Sequence, residues 1–194
     1  ADYTKAIEIS PNYEKAYYNR GNTKSDIKDY YGAIADYTKA IEINPEKDEA
    51  YYNRGNEKFR LKDYDGAISD YTKAIEINSN DSSAFHNRGV ARENLKQCYE
   101  AISDYLRAIE IKSNRSTSYQ GIGNCKALLG DNKGAISAYT KAIEIDPNLA
   151  PAYLGSGNSK DFLKDYYGAI SDFTKAIEID PQFGMAYNNR GHVK

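Results

Sequence analysis

The chain carries only two cysteines and two histidines in 194 residues. Cys98 and Cys125 form no metal-ligand or redox motif and read as two free thiols. His86 and His192 are isolated, and no HExxH, GxSxG or Cys/His cluster occurs, so no catalytic centre and no cofactor site is expected. A formal charge of −2 provides no basic field to hold phosphates, which argues against a nucleic-acid partner. No apolar run approaches the roughly 20 residues that span a bilayer. The opening ADYTKAIEIS is not a signal peptide either.

What the chain does have is repetition. DYDGAISDYTKAIEIN, from Asp63 to Asn78, recurs as DYYGAIADYTKAIEIN from Asp29, QCYEAISDYLRAIEIK from Gln97, DNKGAISAYTKAIEID from Asp131 and DYYGAISDFTKAIEID from Asp165. The chain opens inside a sixth copy, DYTKAIEIS from Asp2. Each start lies 34 residues after the last, a period that signals stacked supersecondary units rather than one globular core.

Within a copy, Ala67, Tyr71 and Ala74 are spaced four and three apart, along one face of a helix. The helix is entered through Lys28-Asp29, Lys62-Asp63 or Lys164-Asp165, whose aspartate can accept from the first-turn backbone donors. It leaves through Asn44-Pro45, Asp146-Pro147 or Asp180-Pro181, since proline cannot continue the ladder. Ser79 and Ser113 replace proline in two copies, and softer stops are expected there. A second segment of the type AYYNRGNEKFRL precedes each such helix, with a small residue, an aromatic and a glycine in register: Ala16, Tyr17, Gly21; Ala50, Tyr51, Gly55; Ala84, Phe85, Gly89; Ala152, Tyr153, Gly157; Ala186, Tyr187, Gly191. A mid-helix glycine costs about 1 kcal/mol relative to alanine, so its recurrence points to close backbone contact. The expected partners are Ala33, Ala67, Ala101, Ala135 and Ala169.

An aromatic, glycine, alanine, aromatic, alanine, proline pattern on this period resembles the tetratricopeptide repeat family, over the whole chain. The resemblance implies an all-α, right-handed superhelical solenoid of antiparallel helix pairs. Complete repeats fall at 14–47, 48–81, 82–115, 116–149 and 150–183, with a second-helix half repeat at 1–13 and a first-helix half repeat at 184–194. Departures from the family pattern are local: Lys24, Lys58, Arg92, Lys126 and Lys160 stand where tyrosine is usual, and Arg20, Arg54, Arg88 and Arg190 where leucine is usual. Repeats with Arg20, Arg54 and Arg88 also carry Asp36, Asp70 and Asp104, whereas the repeat with Ile122 carries Ala138. This covariation suggests structural ion pairs, although Ser156 with Asp172 departs from it.

By the same resemblance, first helices line a concave groove that receives a peptide or partner helix. Its columns are Tyr18, Tyr52, His86, Gln120 and Leu154; Asn19, Asn53, Asn87, Gly121, Gly155 and Asn189; and Asn22, Asn56, Val90, Asn124 and Asn158. Asparagine offers a donor and an acceptor together, which suits the backbone of an extended peptide. The alternative for any one asparagine is a scaffold role. A clamp for a terminal carboxylate is not expected: Asn22 and Asn53 match it, but Tyr18 and Ser83 stand where its lysines should be and Arg88 is off by one. GIGN at 121 and GSGN at 155 lack the third glycine and flanking strand of a phosphate loop, and read as packing glycines. The expected function is a non-catalytic protein-interaction scaffold. The chain begins with an unpaired second helix and ends in an unpaired first one; these are either cut points in a longer array or surfaces that stack head to tail, and a self-associating filament is the rival reading. The sequons at Asn80 and Asn114 lie in turns between repeats and could be glycosylated in a secreted protein.

Overall fold

Each 34-residue period holds two helices and two tight turns. A computed structural model describes residues 2–193, and all regular structure among them is helical. It forms two compact units, divided after Leu95. The first contains α1 (Asp2–Ile9), α2 (Glu14–Asp26), α3 (Tyr30–Ile43), α4 (Asp48–Arg60), α5 (Tyr64–Ile77) and α6 (Ser82–Asn94). The second contains α7 (Cys98–Ile111), α8 (Ser116–Leu128), α9 (Asn132–Ile145), α10 (Ala150–Phe162), α11 (Tyr166–Ile179) and α12 (Gly184–Val193).

In each unit, consecutive helices pack as pairs and each pair packs on the next, so α4 touches both α3 and α5, and α10 touches both α9 and α11. Helices inside a unit are thus shared between two neighbours, and the second helices bury small residues and rings. Ala33, Ala40, Ala67 and Ala74 are at most 1% exposed, and so are Tyr37 and Tyr71. Small residues admit the neighbouring helix, and each buried ring contributes about 2 kcal/mol of apolar burial.

The turn inside a repeat is a Schellman motif run directly into a helix cap. Lys28 N–H bonds Ser25 O at 2.8 Å and Asp29 N–H bonds Lys24 O at 2.8 Å, which satisfies the last carbonyls of α2. Asp29 then accepts from Gly32 N–H at 3.0 Å and starts α3. Asp63, Asp131 and Asp165 cap α5, α9 and α11 in the same way. The motif needs a left-handed residue between the helices. Lys28, Lys62, Lys96 and Lys164 adopt it with φ between 60° and 64°, and only Gly130 fills the column without a side chain.

Two sequence expectations are corrected. The recurrent glycines do not face the alanines of the partner helix. A Cβ on Gly21 would stand 2.7 Å from Tyr37 Cε1, one on Gly55 2.8 Å from Tyr71 Cε1, and one on Gly157 2.6 Å from Phe173 Cε1. One edge of the aromatic of the second helix sits against the glycine of the first, and spacing alone identifies a face but not the residue opposite. Nor are the stops at Ser79 and Ser113 softer, because α5 and α7 end at Ile77 and Ile111, the position at which α3, α9 and α11 end. The residue after the helix sets the stop in α5 as in α3. Asn78 Oδ1 accepts from Asn80 N–H at 3.2 Å, as Asn44 Oδ1 does from Glu46 N–H.

Where a repeat carries an aspartate on its second helix, basic residues at unusual columns converge on it, as on the buried Asp36 and Asp70 and the half-buried Asp172. Arg20 donates to Asp36 through Nε (2.8 Å) and Nη2 (2.7 Å), and Lys24 Nζ lies 2.8 Å from the same side chain. Arg54, Lys58 and Asp70 repeat this arrangement. Ser156 and Lys160 share Asp172 at 2.6 Å each. Where Ala138 removes the carboxylate, Lys126 turns to Asp131 at 3.5 Å. Burial would push Asp36 up, but the hydrogen bonds and charges of Arg20 and Lys24 prevail and hold it below its ordinary range. The arginines also tie repeats together, since Arg54 Nη1 reaches Thr38 Oγ1 of the preceding repeat at 3.0 Å while its guanidinium lies 5.6 Å from the Tyr51 ring centre.

Candidate functional site

The sequence-predicted groove columns in the first unit lie on α2, α4 and α6, and the structure links them by side-chain bonds. Tyr37 is buried by its position under Gly21, so its hydroxyl emerges between first helices and donates to Asn22 Oδ1 at 2.8 Å. Burial raises the Tyr37 pKa well above that of a free phenol, so the hydroxyl keeps its proton and acts as donor. Asn53 of the next repeat completes the set, with Nδ2 donating to Tyr18 Oη at 3.0 Å and to Asn22 Oδ1 at 3.2 Å. The pattern recurs one repeat on. Tyr71 donates to Asn56 Oδ1 at 2.9 Å, and Asn87 Nδ2 donates to Tyr52 Oη and Asn56 Oδ1, both at 3.0 Å.

These bonds fix the amide orientations. Asn22 and Asn56 spend Oδ1 on tyrosine and asparagine donors, and their Nδ2 groups make no hydrogen bond among the described residues. Two donors therefore point away from the network, each locked in one rotamer. Asn56 borders a cavity of about 390 Å³ lined also by Phe59, Arg60, Tyr71, Asn87 and Val90. Adjoining it through Asn56 and Arg60, a second cavity of about 240 Å³ is bordered also by Asn22, Asn53, Ser25, Asp26 and Glu57. Asn19 on α2 and His86 on α6 are half-buried.

In the second unit the columns diverge. Asn124 Oδ1 accepts from Tyr139 at 2.8 Å, but Gly121 and Gly155 replace the asparagine that would bridge repeats. The rings of Tyr105 and Tyr139 occupy the space this frees, with Cζ 2.4 Å from where a Cβ would stand. Asn158 is exposed and accepts from Asn189 Nδ2 at 2.8 Å, because Phe173 has no hydroxyl to offer it. The sequence-predicted site residues are thus joined across repeats in the first unit, whereas in the second Asn124 bonds Tyr139 and Asn158 bonds Asn189.

Sequence reading overlooked Ser25, Asp26, Glu57, Phe59 and Arg60. A signal existed for Glu57, whose column is otherwise Thr23, Ala91, Cys125 and Ser159. A carboxylate among small residues marks a local departure from the repeat. Asn80 and Asn114 are exposed in inter-repeat turns. Cys98 and Cys125 are buried and not joined by a disulfide. No group of three or more potential metal ligands occurs among the described residues, and no helix there is long and apolar enough to cross a membrane.

Comparison with solved structures finds extensive likeness. The crystal structure of YrrB, described as a TPR protein with an unusual peptide-binding site, has 27% identity and a TM-score of 0.82 over 98% of both chains. A crystal structure of MamA has 25% identity and a TM-score of 0.81, covering 87% of this chain and 92% of that one. The fold alone is shared with MamA from Desulfovibrio magneticus RS-1, at 19% identity and a TM-score of 0.82 over 88% of this chain and 97% of that one. No curated protein matches the chain. Two tetratricopeptide-repeat families match in sequence, one at residues 14–47 and 48–81 and the other at 82–115, 116–149 and 150–183. With the helix pairs, the aromatic-on-glycine contacts and these matches in agreement, the chain belongs to the tetratricopeptide repeat family.

Proposed function

We propose that the chain is a non-catalytic protein-interaction scaffold that holds an extended peptide or partner helix on the first-helix face of its first unit. The fold and the peptide-binding description of YrrB support an interaction scaffold. One observation carries the finer reading: the Nδ2 groups of Asn22 and Asn56 are oriented by buried tyrosine hydroxyls and stand beside adjoining cavities. Amide donors fixed before binding can take backbone carbonyls of a peptide whatever its sequence, at little ordering cost. Tyr18, Tyr52, Asn53 and Asn87 hold them in place, while Phe59 and Val90 offer apolar area.

The test is a selection of random dodecamer peptides on the immobilised chain, followed by titration of an enriched peptide into the isotope-labelled protein. The side-chain amide signals of Asn22 and Asn56 should shift, and the N22L/N56L variant should bind at least tenfold more weakly. Shifts confined to other helices would overturn the reading.

A second reading, end-to-end stacking of copies, draws on one contrast. Tyr3 occupies the column of Tyr37 but is 41% exposed against 1%, and a Cβ on Gly191 would meet nothing within 4 Å among the described residues, unlike Gly21. Tyr3 of one copy on Gly191 of another would reproduce the internal contact. Light scattering across a concentration series tests it: mass growing with concentration, and falling back in Y3A, supports stacking, whereas a constant monomer mass rejects it.

A further inference from the structure

Glu57 is the buried charge that the repeat architecture does not explain. It is 3% exposed at a position where other repeats place a small residue. Its Oε1 accepts from Ser25 Oγ at 2.7 Å. Among the described residues its Oε2 has no hydrogen-bond donor, and the cation paired with it is Arg60, with Nε at 3.6 Å. A carboxylate taken out of water without its full set of donors is costly, and such a group calls for a partner that would complete it. Arg60 does not complete it. Its side chain is 56% exposed and its guanidinium lies over the Tyr30 ring at 5.7 Å.

Glu57 lines the 240 Å³ cavity between α2 and α4, together with Asp26, which is exposed and makes no hydrogen bond or ion pair among the described residues. The cavity thus holds two carboxylates against one loosely held guanidinium. We infer that it is a pocket for a lysine or arginine side chain of the bound peptide, with Glu57 at its base, Asp26 at its rim and Arg60 swinging aside. A cationic side chain supplies several donors at once, which suits the unfilled oxygens of both carboxylates. This rests on the groove reading, since Asn22 and Asn56 would hold the backbone that delivers the side chain.

The same dodecamer selection decides the matter. Enriched peptides should share a lysine or arginine. E57Q, which retains an acceptor for Ser25, should bind such a peptide at least tenfold more weakly. Replacing the peptide's lysine by norleucine should cost the same factor on the unaltered chain and little further on E57Q. D26N, at the exposed rim, provides the same comparison if E57Q does not fold. Peptides that shift the Asn22 and Asn56 signals but lack a basic residue, carry an acidic one instead, or bind the variants equally well would overturn the pocket and leave the groove standing. Failure to enrich any peptide, or enrichment of peptides that shift neither asparagine, would overturn the groove and the pocket together.

Discussion

Arg54 grips Asp70 with two parallel bonds, Nε to Oδ2 at 2.9 Å and Nη2 to Oδ1 at 2.7 Å, and the carboxylate they hold is 2% exposed. Such a pair is weak evidence for stability as a whole but costly to break from one side. R54I should therefore destabilise the chain by about 2–3 kcal/mol, less than for an isolated buried pair because Lys58 still reaches Asp70. D70A should cost a similar amount. The double variant R54I/D70A reproduces the Ile122 and Ala138 combination that the chain itself uses, and frees Lys58 to turn to Asp63 as Lys126 turns to Asp131. It should lie within about 1 kcal/mol of the parent. Urea midpoints of the four proteins check this, and a double variant as unstable as the sum of the singles would refute it.

That pairing was legible in the sequence because two columns changed together at Ile122 and Ala138. The third member was not, because Lys126 persists where the carboxylate is lost and so breaks no pattern. The alanine, tyrosine and glycine columns gave the helix pair and its faces, yet not that Tyr71 rather than Ala67 covers Gly55. Face periodicity leaves the longitudinal offset between two helices open, and the packed ring decides it. The asparagine columns were visible too. Their division of labour was not: which oxygen is spent on Tyr37 or Tyr71, and which nitrogen is left over, depends on hydroxyls that approach from another helix.

The ring-on-glycine contact predicts opposite effects for one substitution in one column. In G55A the new methyl would lie 2.8 Å and 3.0 Å from ring atoms of Tyr71 and 3.3 Å from Asp70 Cβ. Overpacking outweighs the gain in helix propensity, and the variant should lose about 1–2 kcal/mol. In G191A the methyl meets nothing within 4 Å, and α12 should gain about 0.5–1 kcal/mol. Denaturation of the two variants, with amide exchange in α12 for the second, measures both signs. A stabilised G55A would remove the packing explanation for the glycine.

The left-handed lysines predict a gain. Lys62 holds φ at 63°, a conformation that costs a side-chain-bearing residue about 1–2 kcal/mol and glycine almost nothing. Part of this returns as the greater freedom of glycine in the unfolded chain. K62G should accordingly stabilise by about 0.5–1 kcal/mol, and G130K should destabilise by a similar amount. Thermal melts of both variants suffice, and a destabilised K62G would mean that the lysine side chain contributes more at this turn than its backbone strain costs.

Asp36 predicts how acid acts on the fold. Although burial opposes ionisation, Arg20 and Lys24 keep its carboxyl below the ordinary aspartate range of about 3.9 in the folded chain. A depressed carboxyl contributes stability that is fully present above the unfolded-state value and is lost as pH falls through the lower folded-state value. D36N cannot titrate and lacks the charge that Arg20 and Lys24 hold. The stability gap between the parent and D36N should thus be constant from pH 7 to pH 5, begin to close near pH 4, and shrink further towards pH 2. Urea midpoints across that range read the gap directly. A gap still undiminished at pH 2 would show that Asp36 stabilises through packing rather than charge, and one closing by pH 6 would place its folded-state titration above the ordinary range rather than below it.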